Sequence, residues 1–182
     1  MLRTPNFVVS IIKYFWSPGQ RILEIGCGPA FLRDVFGKDY TGVDITDKPY
    51  DENLSRDVDI VCSAENLLVD NNSFDIVVIK SAFYMFNQEA SLQEARRVLK
   101  DSGNILIFDY TRKTQKKLQK KEGHNSYPCW TQWGLNKLIQ KSGFKNVKNF
   151  TAEDVQRKGL NRYYHLIRQE ICGTWSIVCG VK

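Results

Sequence analysis

Two glycines and one aspartate are the first residues in the sequence whose types and spacing could carry chemistry. Gly26 and Gly28 follow a short apolar run, residues 22–25, that is typical of a buried strand. Asp44 ends a second apolar run, and a stretch with helical spacing lies between the two runs. Strand, glycine turn, helix, strand and terminal acid together indicate half of a nucleotide-binding unit, in which the acid accepts hydrogen bonds from ribose hydroxyls.

The residues next to these glycines restrict the kind of nucleotide. Dinucleotide-binding folds use G-x-G-x-x-G, and Phe31 occupies the position of the third glycine. Pro29, which is expected at the start of the following helix, lacks a backbone N–H with which to hold a pyrophosphate. A P-loop is excluded because the G-K-[ST] motif is missing. The sequence therefore predicts a nucleoside ligand without an essential pyrophosphate.

The elements that must position this turn alternate between strand and helix. Apolar runs at 58–62, 74–79 and 104–110 predict three further strands, and a helix is predicted at 88–100. Such alternation is typical of a doubly wound α/β sheet with helices on both faces. Only a short polar stretch follows Asp44, so we expect the helix of the second crossover to be vestigial or absent.

The two ends of the chain are expected to complete a single domain spanning 1–182. Residues 7–16 have apolar side chains at i, i+4 spacing, which predicts an N-terminal helix within 1–17 that lies on the sheet. A lid over the site is the alternative for this helix. A further helix and two strands, at 144–150 and 174–181, are predicted near the C-terminal end.

Composition limits the classes of partner and of site. The 182 residues include 26 basic and 20 acidic side chains, and the net charge of +6 suits nucleic acid, anionic metabolites or no particular partner. Five widely spaced cysteines without a C-x-x-C pair favour free thiols in a reducing cytoplasm. The two histidines give no metal-ligand spacing, so no metal site is expected. The apolar stretch near the N-terminus is too short for a membrane span and lacks a signal-peptide cleavage site.

Several motifs carry a family resemblance, in the correct order and spacing. Residues 24–30, Glu-Ile-Gly-Cys-Gly-Pro-Ala, look like motif I of the class I S-adenosylmethionine-dependent methyltransferases, with Ala30 in place of its last glycine. Residues 63–78 resemble the adenine-side loop and the fourth strand of the small-molecule, methyltransferase type 11-like subgroup. Residues 95–103 resemble the helix and turn that precede strand five in that subgroup. The resemblance covers about 21–110.

This resemblance implies a fold, a cofactor and a reaction. The fold is a mostly parallel seven-stranded sheet with an antiparallel C-terminal strand. The cofactor is S-adenosyl-L-methionine, which becomes S-adenosyl-L-homocysteine when its methyl group moves to an oxygen, nitrogen or carbon of a small molecule. The residues expected to bind the cofactor are Glu24, Gly26, Cys27, Gly28, Asp44, Ile45, Ser63, Ala64, Glu65 and Lys80.

The resemblance also implies a role for several of these residues. The glycines would let the backbone approach the cofactor, Glu24 would orient its methionine end and Asp44 would hold its ribose. Ala64 and Glu65 would hold its adenine. Ser63 stands where the family usually has an aspartate that bonds the adenine amino group. That contact is therefore expected to be weaker or to come from Glu65.

The reaction requires few chemically active side chains. Methyl transfer is an in-line displacement at a sulfonium, so the protein mainly supplies alignment and a site that excludes water. A general base is needed only where the acceptor arrives protonated, and the candidates are Tyr84, His124 and His165. The acceptor pocket is expected to use the N-terminal helix and the segments 111–128 and 151–170.

The run at 112–121 carries six basic residues and leaves three alternatives open. It could form a solvated helix face, bind an anionic acceptor or bind nucleic acid. The fourth strand runs into Lys80-Ser-Ala-Phe rather than the Asn/Asp-Pro-Pro-aromatic motif of enzymes that methylate base amino groups. No aromatic residue interrupts the basic run, so base stacking lacks support. An RNA methyltransferase and a non-catalytic cofactor-binding module remain the alternatives to a small-molecule enzyme.

Overall fold

A single sheet organises the computed structural model of the chain, which describes residues 6–48, 57–122, 130–150 and 175–182. Its seven strands are β1 (Ile22–Ile25), β2 (Tyr40–Asp44), β3 (Ile60–Val61), β4 (Phe74–Lys80), β5 (Leu99–Tyr110), β6 (Lys145–Asn149) and β7 (Trp175–Val181). Their order across the sheet is β3-β2-β1-β4-β5-β7-β6. Neighbours from β3 to β5 are parallel, whereas β7 runs antiparallel to both β5 and β6. The predicted mostly parallel sheet with an antiparallel C-terminal strand is confirmed.

The described residues also form five α-helices, and two of these have side-chain caps that fix where they begin. The helices are α1 (Asn6–Phe15), α2 (Arg33–Phe36), α3 (Gln88–Val98), α4 (Arg112–Glu122) and α5 (Gln132–Lys141). The side chains of Asn87 and Thr131 accept backbone N–H groups in the first turns of α3 and α5. Within the described part of the chain, no helix has the length and hydropathy that a membrane crossing requires.

Helix α1 lies on one face of the sheet, as predicted. Its side chains Val8, Ile11 and Ile12 are fully buried, and the helical period places them on a single side of the helix. They pack with side chains that the strands present to that face, including Ile22 and Val78. Apolar side chains of α3 and α5 cover the opposite face. The sheet is therefore buried on both sides in its centre, which leaves the carboxyl edge of the parallel strands available for a site.

The helix after the glycine turn is shorter and starts later than expected. Helix α2 begins at Arg33 and has four residues, so the expectation that Pro29 starts the helix is wrong. Ala30 lies between them at φ +52°, in the left-handed region, and a right-handed helix cannot pass through that conformation. A four-residue helix sums few peptide dipoles, so this turn is a poor pyrophosphate site for a different reason from the one expected.

Two strands have bounds that differ from those predicted at 58–62 and 104–110. Strand β3 has only two residues because it pairs with only the last two residues of β2. Strand β5 starts earlier, at Leu99, which pairs with Phe74. The register shifts before the next pair, so the turn expected at the end of residues 95–103 is an irregularity within one long strand.

An arginine closes the flank of the sheet on which the crossover helix was expected to be missing. Residues 49–56, where that helix would lie, are outside the described residues. Next to them, the Arg33 guanidinium lies 2.6 Å from carboxylate oxygens of both Asp57 and Asp59. Asp59 also accepts the backbone N–H of Gly42 at 2.7 Å. Arg33 thereby ties α2 to the segment that leads into β3.

Candidate functional site

A cavity of about 600 Å³ lies at the carboxyl ends of the parallel strands β1, β2 and β4. This is the edge at which open α/β sheets place their ligands, and the volume is within the range of small-molecule sites. Its wall includes every residue expected to bind a cofactor except Glu24: Gly26, Cys27, Gly28, Asp44, Ile45, Ser63, Ala64, Glu65 and Lys80. Because these residues come from four separate segments, the fold rather than local sequence brings them together.

Glycine is favoured at the two positions of the turn for different structural reasons. Both have positive φ, +71° at Gly26 and +54° at Gly28. A Cβ added to Gly26 would lie 2.6 Å from the Cβ of Ala82 and 2.8 Å from the Phe86 ring, so protein packing excludes any side chain there. A Cβ added to Gly28 meets no atom of the described residues within 4 Å. The space beside Gly28 belongs to the cavity, where a ligand can approach the backbone closely.

Asp44 is fixed to the glycine turn by a direct hydrogen bond. The backbone N–H of Gly28 donates to Asp44 Oδ2 at 2.8 Å. The N–H groups of Gly26 and Cys27 both donate to the carbonyl of Val43, so the turn is bonded twice to the end of β2. The carboxylate therefore holds one position in the cavity wall, where it can accept hydrogen bonds from a ligand.

The loop after β3 presents a second carboxylate. Glu65 accepts hydrogen bonds from the Ser63 hydroxyl and, at 2.7 Å, from the backbone N–H of Asn87. Partial burial raises the pKa of Glu65, but the hydrogen bonds from Ser63 and from the Asn87 backbone outweigh it and lower the pKa below its usual value. Since the Ser63 hydroxyl donates to Glu65, the negative charge in this part of the wall is carried by Glu65.

An ion pair on α3 holds that loop in place. The backbone N–H of Leu67 donates to Glu94 Oε2 at 2.8 Å, and Arg97 Nη2 donates to the carbonyl of Leu67 at 2.8 Å. Arg97 also donates to the carbonyl of Val69 and is paired with Glu94 at 2.7 Å. Both backbone groups of Leu67 are therefore bonded to α3, and the chain that follows Glu65 has a fixed path.

Glu24 lies behind the cavity wall rather than in it. Its side chain is fully buried, and the Tyr40 hydroxyl donates to its Oε2 at 2.6 Å. Its Oε1 accepts no hydrogen bond from the described residues, and the nearest cation, Lys80 Nζ, is 3.9 Å away. Burial raises the pKa of Glu24, while Lys80 and Tyr40 act in the opposite direction. Lys80 is thus the charged side chain that the wall presents here.

The wall beyond β4 is formed by a short turn that a buried carboxylate supports. Tyr84, Met85 and Phe86 line the cavity, and Asp109 accepts backbone N–H groups from Tyr84 and, at 2.7 Å, from Tyr110. Burial raises the pKa of Asp109 to about 7 despite these hydrogen bonds. Met85 and Phe86 had not been assigned from the sequence, although their place after the end of β4 was a usable signal.

Tyr84 is the acceptor-side candidate that the described residues place in this wall. His124 and His165 lie outside the described residues, as do residues 123–128 of the segment 111–128 and the whole of the segment 151–170. Helix α4 begins two residues after β5 ends, at the same edge of the sheet as the cavity. Its described basic side chains are exposed, and none of them lines the cavity: Arg112, Lys113, Lys116, Lys117 and Lys120.

The arrangement fits an adenosyl amino acid better than a dinucleotide. Across the carboxyl edge, the sheet order places the Glu65 loop, Asp44, the glycine turn and Lys80 in succession. Polar groups for a base, for a ribose and for a charged tail are therefore met in that order. Nearby, Oε1 of the buried Glu24 accepts no hydrogen bond from the described residues, and functional sites often retain such polar atoms.

Comparisons with known proteins find methyltransferases among the proteins that this chain resembles. Residues 23–107 match the model of a family described as a methyltransferase domain. Phosphoethanolamine N-methyltransferase 3 of Arabidopsis thaliana is 23% identical over an alignment of 171 positions, which covers 84% of this chain and 34% of that protein. The ubiquinone/menaquinone biosynthesis C-methyltransferase UbiE of Paraburkholderia phymatum is 29% identical over an alignment of 109 positions, which covers 52% of this chain and 45% of that protein.

A solved structure extends the likeness to nearly the whole chain. Phosphoethanolamine N-methyltransferase 2 of Haemonchus contortus, in complex with phosphomonomethylethanolamine and S-adenosylhomocysteine, superposes with a TM-score of 0.67 at 22% identity. The superposition covers 97% of this chain and 52% of that one, and at this identity it establishes the fold alone. The chain spans between a third and a half of the curated relatives cited. The family match over residues 23–107, together with the fold, makes this chain similar to methyltransferase domains, including one solved with S-adenosylhomocysteine.

Proposed function

We propose that this chain binds S-adenosyl-L-methionine in the cavity and transfers its methyl group to a small-molecule acceptor. The observation that carries the proposal is the bond between Gly28 and Asp44. It fixes a carboxylate at the end of β2 beside a glycine whose missing side chain leaves room for a ligand. A ribose with two adjacent hydroxyls is the group that such a carboxylate suits.

Different residues of the wall bind different parts of this cofactor. Asp44 accepts from the ribose hydroxyls, and Glu65 accepts from the adenine amino group in place of the aspartate that Ser63 replaces. The bound cofactor supplies a sulfonium, whose methyl group the acceptor displaces in line. The chain contributes alignment and a partly enclosed apolar wall at Tyr84, Met85 and Phe86, and both favour displacement over hydrolysis.

The acceptor is proposed to be a small molecule, and the basic side chains of α4 favour an anionic acceptor. The relatives named for phosphoethanolamine and for ubiquinone and menaquinone act on small molecules, as their names state. Helix α4 carries exposed cations at the edge of the sheet where the cavity opens. These cations can attract an anionic acceptor to the site by long-range electrostatics.

RNA is the second candidate acceptor, because the same exposed cations also suit a phosphate backbone. The two candidates differ in their dependence on salt. If RNA is the acceptor, log affinity falls linearly with log salt, and methyl groups are incorporated into RNA. If a small anion is the acceptor, incorporation occurs without RNA, and added RNA neither accepts methyl groups nor competes at physiological salt.

The cofactor assignment is tested by binding. We expect S-adenosylmethionine and S-adenosylhomocysteine to raise the melting temperature of the protein by several degrees at saturating concentration, and NAD to leave it unchanged. Asp44→Asn keeps an oxygen that can accept the Gly28 N–H, but it removes the charge that holds the ribose. We expect affinity for S-adenosylhomocysteine to fall about 10- to 100-fold.

The matched control is Asp34→Asn on α2. Asp34 is exposed and does not line the cavity, so the same change of charge there is expected to leave cofactor affinity unaltered. Equal affinity of wild type and Asp44→Asn would mean that the ribose is held elsewhere. A clear response to NAD would contradict the choice of cofactor.

A further inference from the structure

Lys80 is the cation that the described residues place in the wall of the cavity, and it carries the same sign of charge as a sulfonium. Its side chain is 17% exposed and lines the cavity at the end of β4. A partly buried ammonium needs an anionic partner, because its desolvation is otherwise uncompensated. Glu24 behind the wall attracts it, but the separation of 3.9 Å is longer than a hydrogen bond. The donors of Lys80 are therefore not taken up by Glu24.

The strand order indicates which part of the cofactor lies next to Lys80. Asp44 is on β2, the glycine turn follows β1, and Lys80 is on β4 on the far side of that turn. With the ribose at Asp44 and the adenine beyond it near Glu65, the remaining part of the cofactor extends toward β4. That part is the methionine tail, which ends in an ammonium and a carboxylate.

We propose that Lys80 binds the α-carboxylate of the methionine tail, and that Glu24 acts through Lys80 as its buried counter-ion. This inference rests on the proposed function, and it differs from the role that the family resemblance implied for Glu24. The Glu24 side chain is fully buried and does not line the cavity; its Oε2 accepts from Tyr40, and its Oε1 lies 3.9 Å from Nζ of Lys80, which does line the cavity. The tail is then held mainly by its carboxylate and not by its ammonium.

The charges of the site become balanced in this arrangement. Glu24, Lys80 and the ligand carboxylate form an alternating row of negative, positive and negative groups. In such a row each desolvated charge has an opposite neighbour, which is the condition for a stable partly buried ion pair. The Tyr40 hydroxyl supplies the remaining hydrogen bond to Glu24, so the row is anchored to β2.

The test compares S-adenosylmethionine with its decarboxylated analogue, which keeps the sulfonium and the amino group but lacks the carboxylate. Binding of each compound is measured by calorimetry to the wild type and to Lys80→Met. We expect Lys80→Met to weaken S-adenosylmethionine about 10- to 100-fold and to leave the analogue unchanged or bound more tightly. The reason is that the analogue has no carboxylate to lose and carries an extra net positive charge, which Lys80 repels.

Glu24→Gln distinguishes an indirect from a direct role for Glu24. If Glu24 acts through Lys80, its loss weakens S-adenosylmethionine in the wild type and adds little in the Lys80→Met background. If Glu24 binds the ammonium directly, Glu24→Gln weakens both compounds equally and does so in either background, and the proposal is then wrong. The glutamine oxygen can still accept from Tyr40, and thermal unfolding of each variant verifies that it is folded.

Lys100→Met is the matched control. Lys100 is bonded to Asp75 at 2.8 Å, near the start of β5 and away from the cavity, so its loss is expected to change neither affinity. Equal weakening of both compounds by Lys80→Met, or no weakening of S-adenosylmethionine, would overturn the inference alone. Failure of S-adenosylmethionine to bind the wild type would overturn the proposed function as well.

Discussion

At the scale of single residues, Gly26, Gly28 and Ala30 adopt similar positive φ values for different reasons. Ala30 shows that an alanine is accommodated at φ +52° within this turn. Gly28, at +54°, should therefore tolerate a methyl group in the folded protein, since the space beside it is open. Gly26 should not, because Ala82 and Phe86 occupy the space that a Cβ would need.

Gly26→Ala and Gly28→Ala are thus expected to separate stability from binding. Gly26→Ala adds a steric clash to backbone strain and should cost roughly 3 kcal/mol, or about 6 to 12 °C in melting temperature. Gly28→Ala should cost about 1 to 2 kcal/mol but weaken S-adenosylhomocysteine strongly. Thermal unfolding and calorimetry measure the two effects. A Gly28→Ala protein with unaltered affinity would mean that the ligand does not approach this turn.

Asp109 should make the stability of the protein depend on pH. Its pKa in the folded protein, about 7, is above the ordinary value of 3.8. The protonated form is therefore favoured by folding, and its contribution to stability is complete below about pH 4 and is lost as pH rises toward 7. The shift corresponds to at most about 4 kcal/mol. Asp109→Asn cannot ionise, so it should lack this dependence.

The measurement is the difference in unfolding free energy between wild type and Asp109→Asn from pH 4 to pH 8. The wild type should lose stability relative to the variant through this window, with the change complete above about pH 7. Other carboxyl groups, including Glu24 with its raised pKa, titrate in both proteins and largely cancel in the difference. A difference that stays constant with pH would show that Asp109 is ionised throughout.

Residue types and spacing were enough to predict that Gly26, Gly28 and Asp44 lie together. Parallel strands end at one edge of a sheet, so residues just past those ends meet. The inward position of Glu24 was harder to predict from the sequence. It depends on Tyr40, which is sixteen residues away and whose hydroxyl reaches Glu24 only after β1 and β2 have paired. A local motif does not contain that pairing, so the sequence predicted that Glu24 contacts the ligand.

At the scale of elements, α3 controls the loop that carries Glu65. Arg97→Met would remove hydrogen bonds to the carbonyls of Leu67 and Val69 and leave Glu94 without its cation. We expect the unfolding free energy to fall by about 2 kcal/mol, since several charge-assisted bonds are lost together. Affinity for S-adenosylhomocysteine should fall several-fold because the loop after Glu65 is no longer held in one path.

Arg96→Met is the control for this prediction, because Arg96 is the preceding residue on the same helix and is exposed. Its loss should change affinity little. Equal effects of the two substitutions on S-adenosylhomocysteine binding would argue against a specific role for the bonds that Arg97 makes to the loop. The hydrophobic pattern alone could predict the extent of α3. The bonds from Arg97 to Val69 and Leu67 could not be predicted in this way, because they span sequence separations of 28 and 30 residues.

At the scale of the whole molecule, α1 belongs to the core. Ile11 is fully buried on the sheet face that β1, β4 and β5 share. Ile11→Ala should cost about 2 to 5 kcal/mol and lower the melting temperature by several degrees or more. Cofactor affinity of the folded protein should be unchanged, since no described residue of α1 lines the cavity.

A lid would respond in the opposite way to the same substitution. If α1 closed over the site, Ile11→Ala would alter binding or turnover more than stability. Thermal unfolding and calorimetry on one preparation separate these outcomes, and Lys13→Ala, on the exposed side of α1, is the control. The amphipathic pattern predicted the helix itself, whereas the face of the sheet that it covers depends on the assembled strand order.

The position of β7 has a consequence for the order in which the protein folds. In the described sheet, β6 is hydrogen-bonded only to β7, and β7 lies between β6 and β5 although it comes later in the sequence. During synthesis, β6 therefore leaves the ribosome before its strand partner exists. Until residues 175–181 arrive, β5 is an open sheet edge that another chain could pair with. Nascent chains of this protein should depend on chaperones most in that interval.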